Sequence, residues 1–151
     1  MKYLITGFII LAFVAVSSFA QGKPGTPAEA EAMVKKAIEF YKANGAQKAF
    51  AEFSNPKGKF VKGDLYVFVY DLNGKCVAHG SNAKQIGKDL IELKDNDGVP
   101  FVKARIEIAK TKGKGWQNYN WTNPITKKIE KKTAYVEKAD DYIFGCGAYA
   151  K

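Results

Sequence analysis

Gly115-Trp116-Gln117-Asn118-Tyr119-Asn120-Trp121-Thr122-Asn123-Pro124, then Ala134-Tyr135-Val136, then Ile143-Phe144-Gly145-Cys146-Gly147-Ala148-Tyr149 decide how this 151-residue chain folds. The three runs are rich in aromatic and β-branched residues and are separated by Asn-Pro and Asp-Asp, so they read as an antiparallel meander. Aromatics at that density on a small sheet signal a buried face, a ligand pocket, or both.

Upstream of the meander, Pro100 opens a helix that runs to about Lys112 and is closed by Gly113 and Gly115. Its Phe101, Val102, Arg105, Ile106 and Ala109 fall on one side. Further upstream, Leu65-Tyr66-Val67-Phe68-Val69-Tyr70 is apolar on both parities, the mark of a strand covered on both faces. Asp71-Leu72-Asn73-Gly74 then reads as a hairpin turn, with Lys75 to His79 as the returning strand. Residues 81–98 are polar but hold Ile86, Leu90, Ile91 and Leu93, which predicts short helical turns.

Ahead of the hairpin, Ala28 to Ala43 places Met33, Val34, Ala37, Ile38 and Tyr41 on one stripe. That is an amphipathic helix, with Thr26 as N-cap, Pro27 in the first turn and Asn44-Gly45 at its end. Gln47 to Phe53 predicts a second short helix with Phe50 and Phe53 facing inward, broken by Ser54-Asn55-Pro56-Lys57-Gly58. The sum is a helix-flanked antiparallel sheet of the α+β class.

Residues 1–20 read as a secretory leader. Lys2 supplies a positive start, Leu4 to Val16 an apolar core too short for a comfortable membrane span, and Ser18-Phe19-Ala20 a cleavage site. Cleavage after Ala20 predicts an exported chain, periplasmic or secreted, with residues 21–27 as a flexible lead-in and one domain over 28–151. No later segment is apolar enough to span a membrane. Loss of the leader, which carries Lys2, lowers the formal net charge from +9 to +8. The lysines are dispersed except for Lys127, Lys128, Lys131 and Lys132, which Glu130 interrupts, so nucleic-acid binding is not expected.

Cys76 and Cys146 are the two cysteines, neither in a CxxC pattern, and His79 is the one histidine. That set excludes a thioredoxin-like motif, covalent haem and a Cys/His zinc site. Asp95-Asn96-Asp97-Gly98 and Asp71-Leu72-Asn73-Gly74 lack the closing glutamate of a calcium loop and read as turns. No GxSxG, HExxH or phosphate-binding loop occurs, so no catalytic activity and no cofactor are expected.

Several phrases together carry a resemblance. They are Tyr66-Val67-Phe68-Val69-Tyr70-Asp71, Asn73-Gly74, Val77-Ala78-His79-Gly80, Ile86-Gly87-Lys88-Asp89-Leu90, Asp97-Gly98, Gly115-Trp116 to Trp121, Asn123-Pro124, Ala134-Tyr135-Val136 and Gly145-Cys146-Gly147-Ala148-Tyr149. In this order, over residues 28–150, the chain resembles the single-Cache sensor domains, extracellular relatives of the PAS fold. The resemblance implies a five-stranded antiparallel sheet in the order 2-1-5-4-3, a long N-terminal helix on one face, and crossover helices with a small ligand pocket on the other. It implies receptors for small organic anions such as acetate, propionate or pyruvate, commonly attached to chemotaxis or histidine-kinase modules. Here the chain stops two residues after Tyr149, which puts direct transmembrane signalling in doubt and points to a membrane receptor or kinase as partner. Family members dimerise along the long helix, so monomer and homodimer both stay open. In the implied strand order Cys76 and Cys146 sit on strands flanking strand one, beyond comfortable disulfide reach unless the strand ends converge, so free thiols are expected and a bridge stays open.

Six residues are candidates for binding the ligand. By resemblance His79 lies at the pocket rim, where it donates to a carboxylate or serves as a structural histidine. Strand parity puts Tyr119 and Trp121 on one face and Trp116 on the other, so the first two are expected to line the pocket and Trp116 to pack. Tyr135, on the adjacent strand, offers a phenol. Arg105, among apolar helix positions, needs an anion if buried: a ligand carboxylate or a protein one, unless it reaches water. Lys132 is the weakest candidate because its neighbours look like a solvated turn. The expected function is an exported, non-catalytic sensory domain for a short organic anion such as a C2–C4 carboxylate. The rival is an envelope protein–protein interaction module without a small-molecule ligand.

Overall fold

The structure, a computed structural model, describes residues 22–150; the expected leader and its cleavage site lie outside them. Helix α1 (Pro27–Asn44) begins with a reciprocal cap: Thr26 Oγ1 accepts from the Glu29 amide at 3.2 Å, and the Glu29 carboxylate accepts from the Thr26 amide at 2.9 Å. It ends at Gly45, whose φ of 80° suits a residue without Cβ. Helix α2 (Ala46–Phe53) follows directly, with Phe53 buried and Phe50 half-buried among Tyr41 and Tyr142.

The apolar run expected as one strand is two. Val61–Lys62 (β1) and Leu65–Tyr66 (β2) form a tight hairpin through Gly63, and the chain breaks pairing at Val67 before β3 (Phe68–Asp71). The Val67 amide donates to the Phe60 carbonyl at 3.2 Å, and its own carbonyl accepts from the Gly80 amide at 2.9 Å. All of Leu65–Tyr70 is buried, as a run without a polar parity requires. Strand β4 (Cys76–His79) returns beside β3.

Residues 81–98 contain one short 3₁₀ turn (Ala83–Gln85), fewer helical turns than expected. Much of the segment runs along the outer edge of β4, where the Cys76 amide meets the Lys88 carbonyl at 3.0 Å and the Leu90 amide meets the Gly74 carbonyl at 2.9 Å. That lining covers an edge that would otherwise expose unpaired amides. Asp95 anchors its far end, accepting from the amides of Asp97, Val99 and Asn120 at 2.8–2.9 Å.

Helix α3 (Phe101–Lys112) buries the expected stripe in full, Arg105 included. Strands β5 (Lys114–Thr122), β6 (Ile129–Ala139) and β7 (Tyr142–Tyr149) complete an antiparallel sheet ordered β4-β3-β7-β6-β5. In main-sheet numbering this is 2-1-5-4-3, the implied order. Helices α1 and α2 cover one face with Val34, Ala37, Phe53, Phe144 and Cys146 in contact. Helix α3 covers the other, where Tyr66, Phe68, Tyr119, Val136 and Ile143 meet Phe101 and Ile106.

Cys76 and Cys146 are free and buried. They belong to opposite faces of the sheet, so parity separates them more firmly than strand spacing does.

Candidate functional site

The face under α3 is built around two glycines. On β7 the alternation Ile143, Gly145, Gly147, Tyr149 faces α3. A Cβ on Gly145 would overlap the Phe68 ring, and one on Gly147 would lie 2.7 Å from Lys132 Cε. The missing side chains make a depression in the sheet centre, into which an aromatic ring and a lysine stem sink.

Arg105 projects from α3 over this depression and is 1% exposed. Its guanidinium carbon lies 4.4 Å from the centroid of Phe68, 4.7 Å from Tyr70, 5.1 Å from Phe101 and 5.5 Å from Tyr119. Nε and Nη2 have no hydrogen-bond partner. The ion pairs among the described residues are surface pairs, Lys35–Glu31, Lys62–Glu29 and Lys103–Glu92, and none engages Arg105. Cation–π contact is worth about 0.5–2 kcal/mol per pair, while removing a charge from water costs several. Aromatic faces thus hold the cation in place without answering it.

A second cation stands nearby. Lys132 of β6 is 1% exposed, and its Nζ donates to the Tyr66 hydroxyl at 2.8 Å. Tyr66 and Tyr149 share a hydroxyl–hydroxyl bond of 3.2 Å, and Tyr149 donates to the Thr122 carbonyl at 2.9 Å. Because that carbonyl can only accept, the chain has one direction: Lys132 to Tyr66 to Tyr149 to Thr122. Burial, with Arg105 adding to it, brings the Lys132 ammonium down to about 7. Burial likewise pushes the phenols of Tyr66, Tyr119 and Tyr149 up, so they remain protonated donors.

His79 is buried rather than at a rim. Its Nδ1 accepts from the amides of Asn82 at 3.0 Å and Ser81 at 3.3 Å, which leaves the other ring nitrogen to carry the proton. Burial, then Lys132 and Arg105, hold its pKa down at about 3, so the ring is neutral. Its ring centroid is 5.0 Å from that of Tyr66.

Tyr119 is buried and stacks on Phe101 at 4.6 Å, and half-buried Trp121 meets the same ring edge-on at 5.2 Å. Arg105, Lys132, His79, Tyr119 and Trp121 therefore gather on one face. Tyr135 does not join them: it points to the α1 face, under Trp116, and donates to Glu137. The register explains the difference, since Tyr119 lies opposite Lys132 and Trp116 opposite Tyr135. Trp116, expected to pack, is 42% exposed. Lys132 is also no part of a solvated turn; it shares its inward parity with Ala134 and Val136.

Two residues were missed in the sequence reading. Tyr149 shares parity with Gly145 and Gly147, a signal available in the alternation itself. Gln117 shares parity with Tyr119; it is buried, donates from Nε2 to the Phe101 carbonyl at 3.0 Å, and its Oε1 has no partner.

Surface clefts lie elsewhere; one of about 560 Å³ between α1 and the β1–β2 hairpin is lined by residues including Met33, Lys36, Phe40, Lys59 and Phe60. It lacks the buried, unanswered polar atoms of the Arg105 region, so the chemistry favours the latter as the site. Among the described residues no cluster of three or more His, Cys, Asp or Glu could hold a metal ion, and no helix is long and apolar enough to cross a membrane.

Comparison with known proteins matches this architecture. The family model described as Single Cache domain 2 covers residues 13–151. The chain is 31% identical over 88 residues to the methyl-accepting chemotaxis protein McpP of Pseudomonas putida, a match covering 57% of the chain and 16% of that protein. It is 33% identical over 88 residues to the sensor histidine kinase MctS of Rhizobium johnstonii, covering 57% of the chain and 19% of the kinase. The matches thus span under a fifth of each relative's length. Among solved structures, a Cache chemosensory domain studied for carboxylic acid recognition superposes with a TM-score of 0.69 at 26% identity, over 82% of this chain and 92% of that one. A periplasmic sensor domain of a chemotaxis protein superposes with a TM-score of 0.72 over 83% and 95% of the two chains; at 22% identity that likeness concerns the fold.

Proposed function

The chain belongs to the Single Cache domain 2 family, periplasmic sensor domains that bind ligands and are not enzymes; on that premise we propose that it senses a short organic anion, a C2–C4 carboxylate. The observation that carries this reading is Arg105, a fully buried guanidinium with two unanswered N–H vertices and no protein carboxylate. A carboxylate accepts from such a pair bidentately, and the charge-assisted bonds offset part of the cost of burying the cation. Lys132 adds a second positive centre, Tyr119 and neutral His79 supply further donors, and Phe68, Phe101 and Trp121 close a wall around a short alkyl chain. The likeness to a carboxylate-recognising Cache domain supports the same ligand class.

The ligand signal passes to a membrane receptor or kinase, the kinds of protein in which the related sequences occur. Export by the residue 1–20 leader, with cleavage after Ala20, brings the domain to that side of the membrane.

The test is titration calorimetry of acetate, propionate, butyrate and pyruvate into wild type and Arg105→Ala, with melting curves verifying that the variant is folded. Binding in wild type that weakens about a hundredfold in a folded variant supports the reading. No heat with any carboxylate, or the same affinity in the variant, refutes it.

A further inference from the structure

The cleft of about 560 Å³ between α1 and the β1–β2 hairpin lies on the opposite side of the sheet from Arg105. On α1, Met33 and Phe40 are half-buried beside the buried stripe of Val34, Ala37 and Ile38. They stand two helical turns apart, a rise of about 11 Å. Phe60, just ahead of β1, and Leu65 of β2 reach the cleft from the hairpin side. The Phe60 ring centroid is 5.4 Å from that of Phe40, so the two elements meet at an apolar floor.

The rim carries the opposite chemistry. Lys59 holds its ammonium 4.0 Å from the Phe40 ring centroid and 5.6 Å from that of Phe60. Neither Lys59 nor Lys36, which also lines the cleft, engages a carboxylate in the ion pairs among the described residues. Two glutamates line the cleft as well. Glu29 is spent, accepting from the Thr26 amide at 2.9 Å and from Lys62 Nζ at 3.4 Å, and the second bond ties α1 to the hairpin. Glu39 is exposed, one turn along α1 from Lys36. Lys36, Lys59 and Lys62 against Glu29 and Glu39 leave the lining net positive, with the Lys59 ammonium directly over the aromatic floor. An apolar floor under an unpaired ammonium suits a ligand that has both an apolar and an anionic part.

Shape narrows the occupant. A partner helix is about 10 Å across and does not pass between elements whose rings are 5.4 Å apart at the floor. A flat bilayer does not reach a floor in which Phe60 is 4% and Leu65 1% exposed. A single flexible chain reaches it, and the volume falls in the range of about 300–1,000 Å³ typical of small-molecule sites. We propose that the cleft is a second ligand site, which takes a medium-chain fatty carboxylate. Its tail lies on Met33, Phe40 and Phe60, and its head group sits at Lys59. This site is separate from the Arg105 face and does not depend on the reading given to it.

The experiment is calorimetric titration of hexanoate, octanoate, decanoate and neutral 1-octanol, all below micelle formation, into wild type, Ala32→Glu and Arg105→Ala. Ala32 is exposed on α1 at the cleft, so glutamate there keeps a good helix former and sets a carboxylate beside the floor. Wild-type affinity is expected to rise roughly twofold to fourfold with each added CH₂. Octanol should bind about threefold or more weaker than octanoate. Ala32→Glu should weaken decanoate about tenfold and leave propionate unchanged, while Arg105→Ala keeps decanoate binding. No decanoate binding, no dependence on chain length, or octanol equal to octanoate overturns the proposal. So does decanoate binding that survives Ala32→Glu and is lost in Arg105→Ala, which would put the chain in the buried site. A dimer in sedimentation that Ala32→Glu dissociates would give the cleft to a second copy and also overturn it, as would binding to phosphatidylglycerol vesicles without binding to monomeric decanoate. Should Ala32→Glu not fold, Lys59→Glu, also at an exposed position, decides with the same expected loss.

Discussion

Lys132 donates to the Tyr66 hydroxyl at 2.8 Å, on the same sheet face as Arg105, which is equally buried. Two buried basic groups on one sheet face, answered by phenols and aromatic rings, form an electrostatic deficit that the proposed carboxylate ligand would offset. Stability, pH response and specificity follow from that deficit.

Arg105→Met should separate stability from binding. Methionine keeps the volume and aromatic contact but removes an unneutralised buried charge, so the ligand-free protein should melt at the same temperature or higher. Carboxylate affinity should be lost. Thermal melts beside calorimetry check both, and a variant that is strongly destabilised yet still binds would contradict the account.

Carboxylate affinity should fall as pH rises above about 7, where free Lys132 loses its proton. An anion beside it favours the ammonium, so binding takes up a proton, with a limiting slope of about tenfold per pH unit. The facing phenols of Tyr66, Tyr119 and Tyr149 are pushed up and His79 is held neutral, so they do not titrate in this window. In the ligand-free protein the same lysine binds fewer protons folded than unfolded between about 7 and its ordinary 10.5, so this group makes stability rise with pH there. Calorimetry at pH 7.5 in buffers of differing ionisation enthalpy measures the uptake, and a heat independent of buffer would count against it.

Gly147→Ala should destabilise the fold by about 1–3 kcal/mol and displace Lys132. Its Cβ would lie 2.7 Å from Lys132 Cε and 2.9 Å from both Ala134 Cβ and the Thr133 carbonyl oxygen, and the last is backbone that cannot swing away. Chemical denaturation with parallel ligand titration reads both effects. A neutral substitution would mean the depression does not position the lysine.

Cys76 and Cys146 should remain thiols in the purified, unreduced protein. They lie on opposite sheet faces, and burial pushes them up to about 11 and about 12. Thiol titration should find slow reaction in native protein and two equivalents after denaturation. Finding none in the denatured, unreduced protein would contradict the arrangement.

The fold was legible because its signals are local: a capped amphipathic helix, a two-sided apolar run, glycines closing α3, and three aromatic runs. The site was legible in part. Arg105 stood out as a cation in an apolar stripe, and parity put Tyr119 with Trp121. Parity alone could not relate β5 to β6, because register depends on the turn over residues 123–128. There the Asn123 amide bonds the Lys128 carbonyl at 2.8 Å and Lys127 takes φ 62°. That turn sets Lys132, and not Tyr135, opposite Tyr119. Gln117 was invisible for another reason: its importance lies in an unmet bond, which only packing reveals.

Arg105 is the single arginine of the sequence, so its Nε–H gives one identifiable side-chain signal in a ¹⁵N-labelled sample. Titrating that signal with propionate and lactate reads carboxylate engagement at the guanidinium itself. A saturable shift and slowed hydrogen exchange at Nε are expected as the carboxylate accepts from it. A signal that stays unmoved at saturating carboxylate would contradict the carboxylate reading.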